Sequence, residues 1–224
     1  MISVLKASAN QVTISQTEAL RYMGYGKQKA DKAVLHLLDD CTQELENIVS
    51  YRCCYTKIPL LWQEDGLDIG FACVKSKSLQ KNLCGCHEAF LFAATLGIEV
   101  DRLLTRYAQV QPAKGVVMDA LASAAIESWC DLLTEQIGAG LALRPRFSAG
   151  YGDLSISWQK ELLAFLDSNR KIGLSLTASH FMVPTKSVSA IIGIEGESKT
   201  AKEAGSRENR CSKCGKLECR YRRM

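Results

Sequence analysis

The chain has 224 residues, of which 47% are hydrophobic and 23% are charged, so it can bury a core as one or two domains. Lys6 and Asn10 interrupt its N-terminus, which therefore lacks the apolar run of a signal peptide. No stretch reaches the roughly 18 uninterrupted apolar residues of a membrane span. We therefore expect a cytoplasmic protein without a membrane segment, whose ten cysteines are reduced thiols, metal ligands or redox groups rather than a disulfide framework.

The formal charge of +4 is concentrated at the C-terminal end of the chain, where residues 195–224 contain nine Lys and Arg against five Asp and Glu. The remainder is near neutral and has no basic stripe interleaved with aromatic residues, which argues against a nucleic-acid partner. We predict one domain over residues 1–194, with an N-terminal helical arm over about 1–49. Residues 195–224 are predicted to be a flexible basic tail. The first part of this segment has the polar composition of a linker and lacks the large apolar residues that a packed core requires.

Two helices are predicted in the N-terminal arm. The segment Ser15-Gln16-Thr17-Glu18 fits a capping box, in which a hydroxyl and a carboxylate satisfy free backbone amides, and it predicts a short helix ending near Gly24. Apolar residues then recur at helical spacing over residues 25–49, which predicts a second helix with one buried face.

The pattern changes to that of strands over residues 51–55 and 67–71, and residues 89–96 are predicted to be a buried strand. Between the last two lies Cys84-Gly85-Cys86-His87. These residues fit either a set of metal ligands or ordinary buried and turn residues, and their spacing is one residue shorter than the usual C-x-x-C loop.

Two further helices are predicted, over residues 98–109 and 116–137. The second is the longest in the chain, and its polar residues recur every fourth position, so they share one face. The ordinary interpretation of that face is a solvated acidic stripe. Its members are Asp119, Ser123, Glu127, Asp131 and Glu135.

The segment 143–151, L-R-P-R-F-S-A-G-Y, has the composition of a binding loop. Arg144 and Arg146 offer planar guanidinium groups to a carboxylate or phosphate, Gly150 permits close approach to the backbone, and Tyr151 supplies a flat polar-tipped face. A plain connector is the alternative interpretation. After it, the sequence predicts a helix over 158–166 and strands over 172–176 and 187–192 around a turn at Pro184.

Several segments in the same order resemble the activation domain of vitamin B12-dependent methionine synthase. They are residues 119–127, the loop R-F-S-A-G-Y, the helix that begins at Trp158, the strand I-G-L-S-L-T and the hairpin F-M-V-P-T-K-S-V-S. The match is collinear over about residues 89–194. The resemblance implies an α+β fold, with a twisted antiparallel sheet and flanking helices.

The resemblance also implies a ligand, because the R-x-x-x-G-Y loop of that family binds S-adenosylmethionine. It implies that Arg146 receives the methionine carboxylate, that Ser148 and Gly150 present backbone groups to the adenosine, and that Tyr151 lines the same site. Glu127 matches the family's glutamate near the ligand's amino group. These residue types suit a ligand that carries an ammonium, a sulfonium and a carboxylate.

The family reactivates cobalamin, so the resemblance implies an S-adenosylmethionine-binding subunit for reductive remethylation of a methionine synthase or related corrinoid methyltransferase on a separate chain. The chain has no D-x-H-x-x-G cobalamin motif and no room for homocysteine or folate domains. Cobalamin would therefore come from the partner, and electrons from flavodoxin or another donor protein. The chain is then a component of a methyltransferase activity, and whether it is itself an enzyme stays open.

Two other functions remain as alternatives. One is a free-standing methyltransferase, which Gly138-Ala139-Gly140 supports poorly because this segment follows a helix and lacks the third glycine of the usual loop. The other is a non-catalytic adaptor of a corrinoid protein. In the tail, Cys211, Cys214 and Cys219 fit three ligands of a zinc or iron–sulfur site, or a plain thiol-bearing tail.

Overall fold

The computed structural model describes residues 1–26, 28–64 and 66–196. Within these ranges the strands are β1 (Ser3–Ala7), β2 (Tyr51–Pro59), β3 (Leu61–Gln63), β4 (Gly66–Asp68), β5 (Cys73–Val74), β6 (Cys86–Thr95), β7 (Ser175–Leu176), β8 (Met182–Val183) and β9 (Ser187–Glu195). The α-helices are α1 (Gln16–Tyr22), α2 (Lys32–Ile48), α3 (Lys77–Leu83), α4 (Ile98–Val110), α5 (Pro112–Ile137), α6 (Trp158–Phe165) and α7 (Ser168–Ile172).

The main sheet is antiparallel, in the order β1-β2-β6-β9. Successive residues of a strand point to opposite faces, and β6 uses both of them. Phe90 and Phe92 pack into a core with α2, α4 and α5, whereas Leu91 and Ala93 pack into a second core with α3, α6 and α7. Helices therefore cover the sheet on both faces, and the predicted α+β class is confirmed.

The long helix α5 lies deep in the first core because most of its inward side chains are small. Its alanines allow close approach of the sheet, and Trp129 is fully buried, with its indole N–H donating to the carbonyl of Arg52 at 3.3 Å. Leu121, Ala125 and Leu133 are also fully buried, and Leu132 packs against this core while only partly buried. The helix begins four residues before the predicted start, because Pro112 occupies its first turn, where a missing N–H carries no cost.

The predicted hydroxyl cap at Ser15 is confirmed, since its hydroxyl accepts the N–H of Glu18, and α1 ends at Tyr22, two residues before the expected end. The predicted start of the next helix at residue 25 is wrong. Gly24 and Gly26 have φ of +91° and +56°, which places a turn there, and α2 begins only after Asp31 caps the N–H of Val34 at 2.8 Å.

Two predicted strands are shorter than expected. Ile172 ends helix α7, Gly173 follows in the left-handed region at φ 72°, and only Ser175–Leu176 is a strand. The strand predicted over 67–71 ends at Asp68, whose carboxylate accepts the N–H of Gly70 at 2.8 Å. The arm predicted to be helical also contains a strand, since β1 pairs with β2 at the edge of the sheet.

Among the described residues, no helix combines the length and the apolar character that crossing a membrane requires.

Candidate functional site

The loop 143–151 is attached to the open edge of the main sheet. Backbone bridges join Leu143 to Ile194 and Phe147 to Ile191 of β9, and the N–H of Arg144 donates to the carbonyl of Gly193 at 2.8 Å. The segment therefore runs antiparallel to β9 like a further edge strand. This pairing fixes the backbone of both arginines, which a plain connector would not do.

A cleft of about 850 Å³ lies between this segment, the C-terminal half of α5 and the start of β9. That volume is in the range of small-molecule sites. Both walls carry polar groups, and the rest of the lining is apolar. Among the lining residues are Glu127, Asp131, Arg146, Ser148, Tyr151, Ile156, Met182 and Ser189.

Arg146 lies on one wall of the cleft and forms two ion pairs with the opposite wall. Its Nη2 atom is 2.8 Å from Oε2 of Glu127, and its Nη1 atom is 2.9 Å from Oδ1 of Asp131. The two acids are four residues apart on α5, so they project from the same face and one guanidinium reaches both. The Arg146 side chain is 14% exposed, against 34% for Glu127 and 44% for Asp131.

The electrostatics of this triad keep Arg146 charged. Burial alone would lower the pKa of its guanidinium, but the neighbouring carboxylates of Glu127 and Asp131 raise it. Burial raises the pKa of the Cys130 thiol to about 12, so that thiol is neutral at physiological pH. With both acids ionised the triad carries a net charge of −1, which favours a cationic ligand.

Of the five residues expected to bind a ligand, four line the cleft: Glu127, Arg146, Ser148 and Tyr151. Gly150 is not among the lining residues; its N–H donates to the carbonyl of Leu154 at 2.9 Å, and its φ of +85° allows the turn. Tyr151 is at the mouth of the cleft, 57% exposed, with its ring edge-on to Phe147 at 5.8 Å between centroids.

Asp153, which sequence reasoning missed, ties the end of the loop to another part of the chain. Its carboxylate accepts the hydroxyl of Ser76 at 2.5 Å and the N–H groups of Lys77 and Ser78 at 2.8 and 3.0 Å. These bonds cap α3 and lower the pKa of Asp153, the hydroxyl of Ser76 contributing most. Nothing local marks this residue, because its partners are more than 70 positions away.

The acidic face of α5 is only partly a solvated stripe. The hairpin expected over residues 181–189 is not formed, because β8 pairs with β7 and β9 pairs with β6. Lys186, in the connection between β8 and β9, forms an ion pair with Asp119 at 2.8 Å and donates to the hydroxyl of Ser123 at 2.9 Å. Beside it, the N–H and hydroxyl of Thr185 donate to the carboxylate of Asp101 at 2.8 and 2.9 Å. This connection is thus attached to α4 and α5, next to the start of β9 that lines the cleft.

Arg144, the other arginine of the loop, borders the cleft but binds groups at the opposite end of β9. Its Nε lies 2.9 Å from Oε1 of Glu195, and its Nη2 donates to the carbonyl of Cys84 at 3.1 Å. Cys86 is buried, whereas Cys84 is exposed. No group of three or more possible metal ligands occurs among the described residues, so the segment 84–87 alone forms no metal site.

The tail cysteines Cys211, Cys214 and Cys219, predicted as metal ligands, lie outside the described residues.

Comparison with known proteins identifies a fold but no sequence family. No family model matches the sequence, and no curated protein matches it. The structure is similar to a crystal structure of the MetH reactivation domain bound to AdoHcy, with a TM-score of 0.64 and 17% sequence identity. The match covers 89% of this chain and 80% of that one. The chain therefore has the fold of the MetH reactivation domain.

Proposed function

We propose that the chain binds S-adenosylmethionine in the cleft between α5 and the loop 143–151. Its role would be to present the methyl group to a cobalamin held by a separate methionine synthase or related corrinoid methyltransferase. The main support for this proposal is that Arg146 forms ion pairs with both Glu127 and Asp131 in a cleft of about 850 Å³. The likeness to a reactivation domain that binds AdoHcy supports the same class of ligand.

The charges of the cleft suit this ligand. S-adenosylmethionine carries an ammonium, a sulfonium and a carboxylate, a net charge of +1, and the triad carries −1. A guanidinium has five N–H donors, so the bonds to Glu127 and Asp131 leave donors for a ligand carboxylate. Arg146 can then bind the carboxylate while Glu127 attracts the ammonium and Asp131 adds negative potential for the sulfonium.

The adenosine part of the ligand has a place at the mouth of the cleft. Ser148 lines the cleft beside Arg146, and Tyr151 offers an aromatic face on which a base can stack. The backbone between them is held in a turn, in which the N–H of Tyr151 donates to the carbonyl of Ser148 at 3.1 Å. We assign the adenosine to this part of the loop.

In this proposal the chain contributes positioning and electrostatics. Cobalamin on the partner, with flavodoxin or another protein as electron donor, would supply the nucleophilic acceptor for the methyl group and leave S-adenosylhomocysteine as product; Arg146 and Glu127 of this chain would hold the methyl donor in place. The sulfonium methyl is already activated, so no residue of this chain has to act as a general base. Tyr151 and Ile156, 57% and 47% exposed at the mouth, leave the cleft open on the side from which a partner would approach.

Calorimetric titration of the purified chain with S-adenosylmethionine tests the proposal. We expect saturable binding that is lost in Arg146→Ala and strongly weakened in Glu127→Ala. Arg170→Ala is the matched control, because Arg170 is exposed, pairs with Asp167 three residues earlier and does not line the cleft. If Arg146→Ala binds as tightly as the unaltered chain, the ligand is not in this cleft.

A non-catalytic adaptor of a corrinoid protein, with a metal- or iron–sulfur-binding cysteine tail, is the second candidate. It is favoured by one observation, namely that Arg146 is already neutralised by the chain's own acids. The two functions differ when the titration is repeated with a cobalamin-loaded methionine synthase present. Binding of S-adenosylmethionine only in the presence of the partner supports the reactivation subunit, and an absence of binding under both conditions supports the adaptor.

A further inference from the structure

We propose that Gln159 makes the cleft selective for adenine among the purine bases. Its carboxamide oxygen accepts a hydrogen bond from the exocyclic amino group of the ligand's adenine, a donor that 6-oxo purines lack. This selectivity rests on the proposed binding of S-adenosylmethionine, to which it adds the group that recognises the base. Gln159 belongs neither to the charged triad nor to the loop 143–151.

Gln159 is a polar residue on the buried face of α6. It lies three and four positions before Leu162 and Leu163, so the three side chains project from the same side of the helix, and both leucines belong to the second core. The glutamine is only 5% exposed, although glutamine is usually a surface residue. Burying a carboxamide is costly unless it is hydrogen-bonded, so this position requires a polar partner.

Gln159 lines the ligand cleft at the end proposed for the adenosine. Its N–H donates to the carbonyl of Ile156 at 3.1 Å, and a Cβ atom at Gly150 would lie 3.3 Å from Cδ1 of that isoleucine. Ile156, Met182 and the Tyr151 ring line the same cleft and offer apolar contacts to the faces of a planar base. The carboxamide can then bind the polar edge of the base.

The hydrogen bonds of the buried polar residues single out two side chains. Seven polar residues are buried within the described ranges, and five of them have hydroxyls bonded within the chain: Thr56, Ser76, Thr95, Ser168 and Ser187. The other two, Gln159 and Ser189, both line the cleft. The described residues supply one side-chain bond to Gln159, from Nε2 to the carbonyl of His180 at 3.4 Å, and none to the Ser189 hydroxyl. The carboxamide oxygen and that hydroxyl are thus available to a ligand.

The bond to His180 fixes the direction in which the carboxamide faces. A carbonyl only accepts hydrogen bonds, so the amino end of Gln159 has to face it. His180 is itself held in a turn, with φ at +63° and its N–H donating to the carbonyl of Thr177 at 3.0 Å. Reversing the carboxamide would place its oxygen against the His180 carbonyl. The acceptor end of Gln159 is therefore kept for the ligand.

A fixed acceptor distinguishes the purines by their substituent at C6. Adenine has an amino group there, whereas hypoxanthine and guanine have a carbonyl oxygen. The oxygen of Gln159 can accept from the amino group while the second N–H of its Nε2 donates to a neighbouring ring nitrogen, the pairing by which glutamine recognises adenine in nucleic acids. A 6-oxo purine would instead set two acceptors against each other. The Ser189 hydroxyl can donate to a ring nitrogen common to both bases, so it adds affinity without selectivity.

Calorimetric titration of the full chain with S-adenosylhomocysteine and with S-inosylhomocysteine, whose base is hypoxanthine, tests this selectivity. We expect the unaltered chain to bind the adenosyl ligand about 10- to 100-fold more tightly. Gln159→Met keeps the length of the side chain without its polar groups. In this variant the ratio of the two affinities should fall below about threefold, mainly through weaker binding of the adenosyl ligand.

Gln109→Met is the matched control, because Gln109 is exposed on α4 and does not line the cleft, and it should leave the ratio unchanged. The ratio compares two ligands on one protein, so partial unfolding of a variant lowers both affinities alike. Equal binding of both ligands by the unaltered chain, or a full ratio in Gln159→Met, overturns the selectivity; the proposed function then still stands if Arg146→Ala abolishes binding. Absence of saturable S-adenosylhomocysteine binding, with and without the cobalamin-loaded partner, overturns the proposed function and the selectivity together.

Discussion

Arg146 and Asp131 lie 15 residues apart in the sequence, and Nη1 of the arginine is 2.9 Å from Oδ1 of the aspartate. The contact joins the two walls of the cleft. Glu127, one helical turn before Asp131, accepts a second hydrogen bond from the same guanidinium. One largely buried guanidinium therefore holds the binding loop against α5 and contributes to the charge of the site.

Replacing Asp131 by Asn should weaken S-adenosylmethionine binding more than binding of S-adenosylhomocysteine. The substitution removes one negative charge from the triad, and only the first ligand has a sulfonium that responds to it. Hydrogen bonds to charged groups contribute about 1.5–3 kcal/mol, and the partial exposure of Asp131 reduces this, so we expect a loss of about three- to tenfold. Calorimetry with both ligands measures it, and Glu161→Gln, on exposed α6 surface, serves as the control. Equal losses for the two ligands would contradict a role for the charge.

Arg146→Ala should destabilise the fold as well as remove binding. The substitution removes the guanidinium that pairs with both Glu127 and Asp131. Breaking a fully buried pair costs about 3–5 kcal/mol, and the partial exposure of both acids brings our expectation down to about 1–3 kcal/mol. Urea unfolding measures the free energy. Arg146→Lys should be intermediate, because an ammonium cannot bridge two carboxylates with planar geometry; a lysine variant as stable as the unaltered chain would show that the bidentate geometry is unimportant.

The link between Asp153 and the start of α3 should make stability depend on pH in the acidic range. The folded state lowers the pKa of this carboxyl below its ordinary value near 3.9, so its contribution is present above that value and is lost as pH falls through the folded pKa. Asp153→Asn should therefore melt at a lower temperature than the unaltered chain at pH 7, and the difference should shrink below about pH 4. Melting curves between pH 7 and pH 2 test this, and a difference independent of pH would contradict it.

Gly138→Ala should displace the binding loop from α5. A Cβ atom at this position would lie 2.3 Å from Cδ1 of Leu143 and 2.8 Å from the carbonyl oxygen of Thr134, so the Leu143 side chain and the backbone around residue 138 have to shift, and we expect the start of the loop to follow. Overpacking of this kind costs about 1–3 kcal/mol, and we expect weaker S-adenosylmethionine binding with it. Gly196→Ala is the control, since a Cβ there meets nothing within 4 Å. Unfolding and calorimetry on both variants decide the point; unimpaired binding in Gly138→Ala would mean that the loop can shift without loss.

The sequence by itself determined the elements that depend on local interactions. Helical spacing placed Glu127 and Asp131 on one face of α5, the hydroxyl of Ser15 marked the start of α1, and two arginines beside Gly150 marked the loop. Its errors were also local. A run of helical spacing extended the predicted α2 back to residue 25, through the turn at Gly26, because periodicity carries no information about backbone conformation.

Only the tertiary structure decided which of these groups meet. It paired Arg146 with Asp131 and Glu127, brought Asp153 to Ser76, and placed Cys84 beside the end of β9. Each contact joins residues that are distant in the chain, and the register of β6 with β9 and the attachment of the loop to that edge create most of them. Strand register and helix packing depend on the whole core. Residue spacing alone could therefore identify residues that line the cleft, but not the contacts between them.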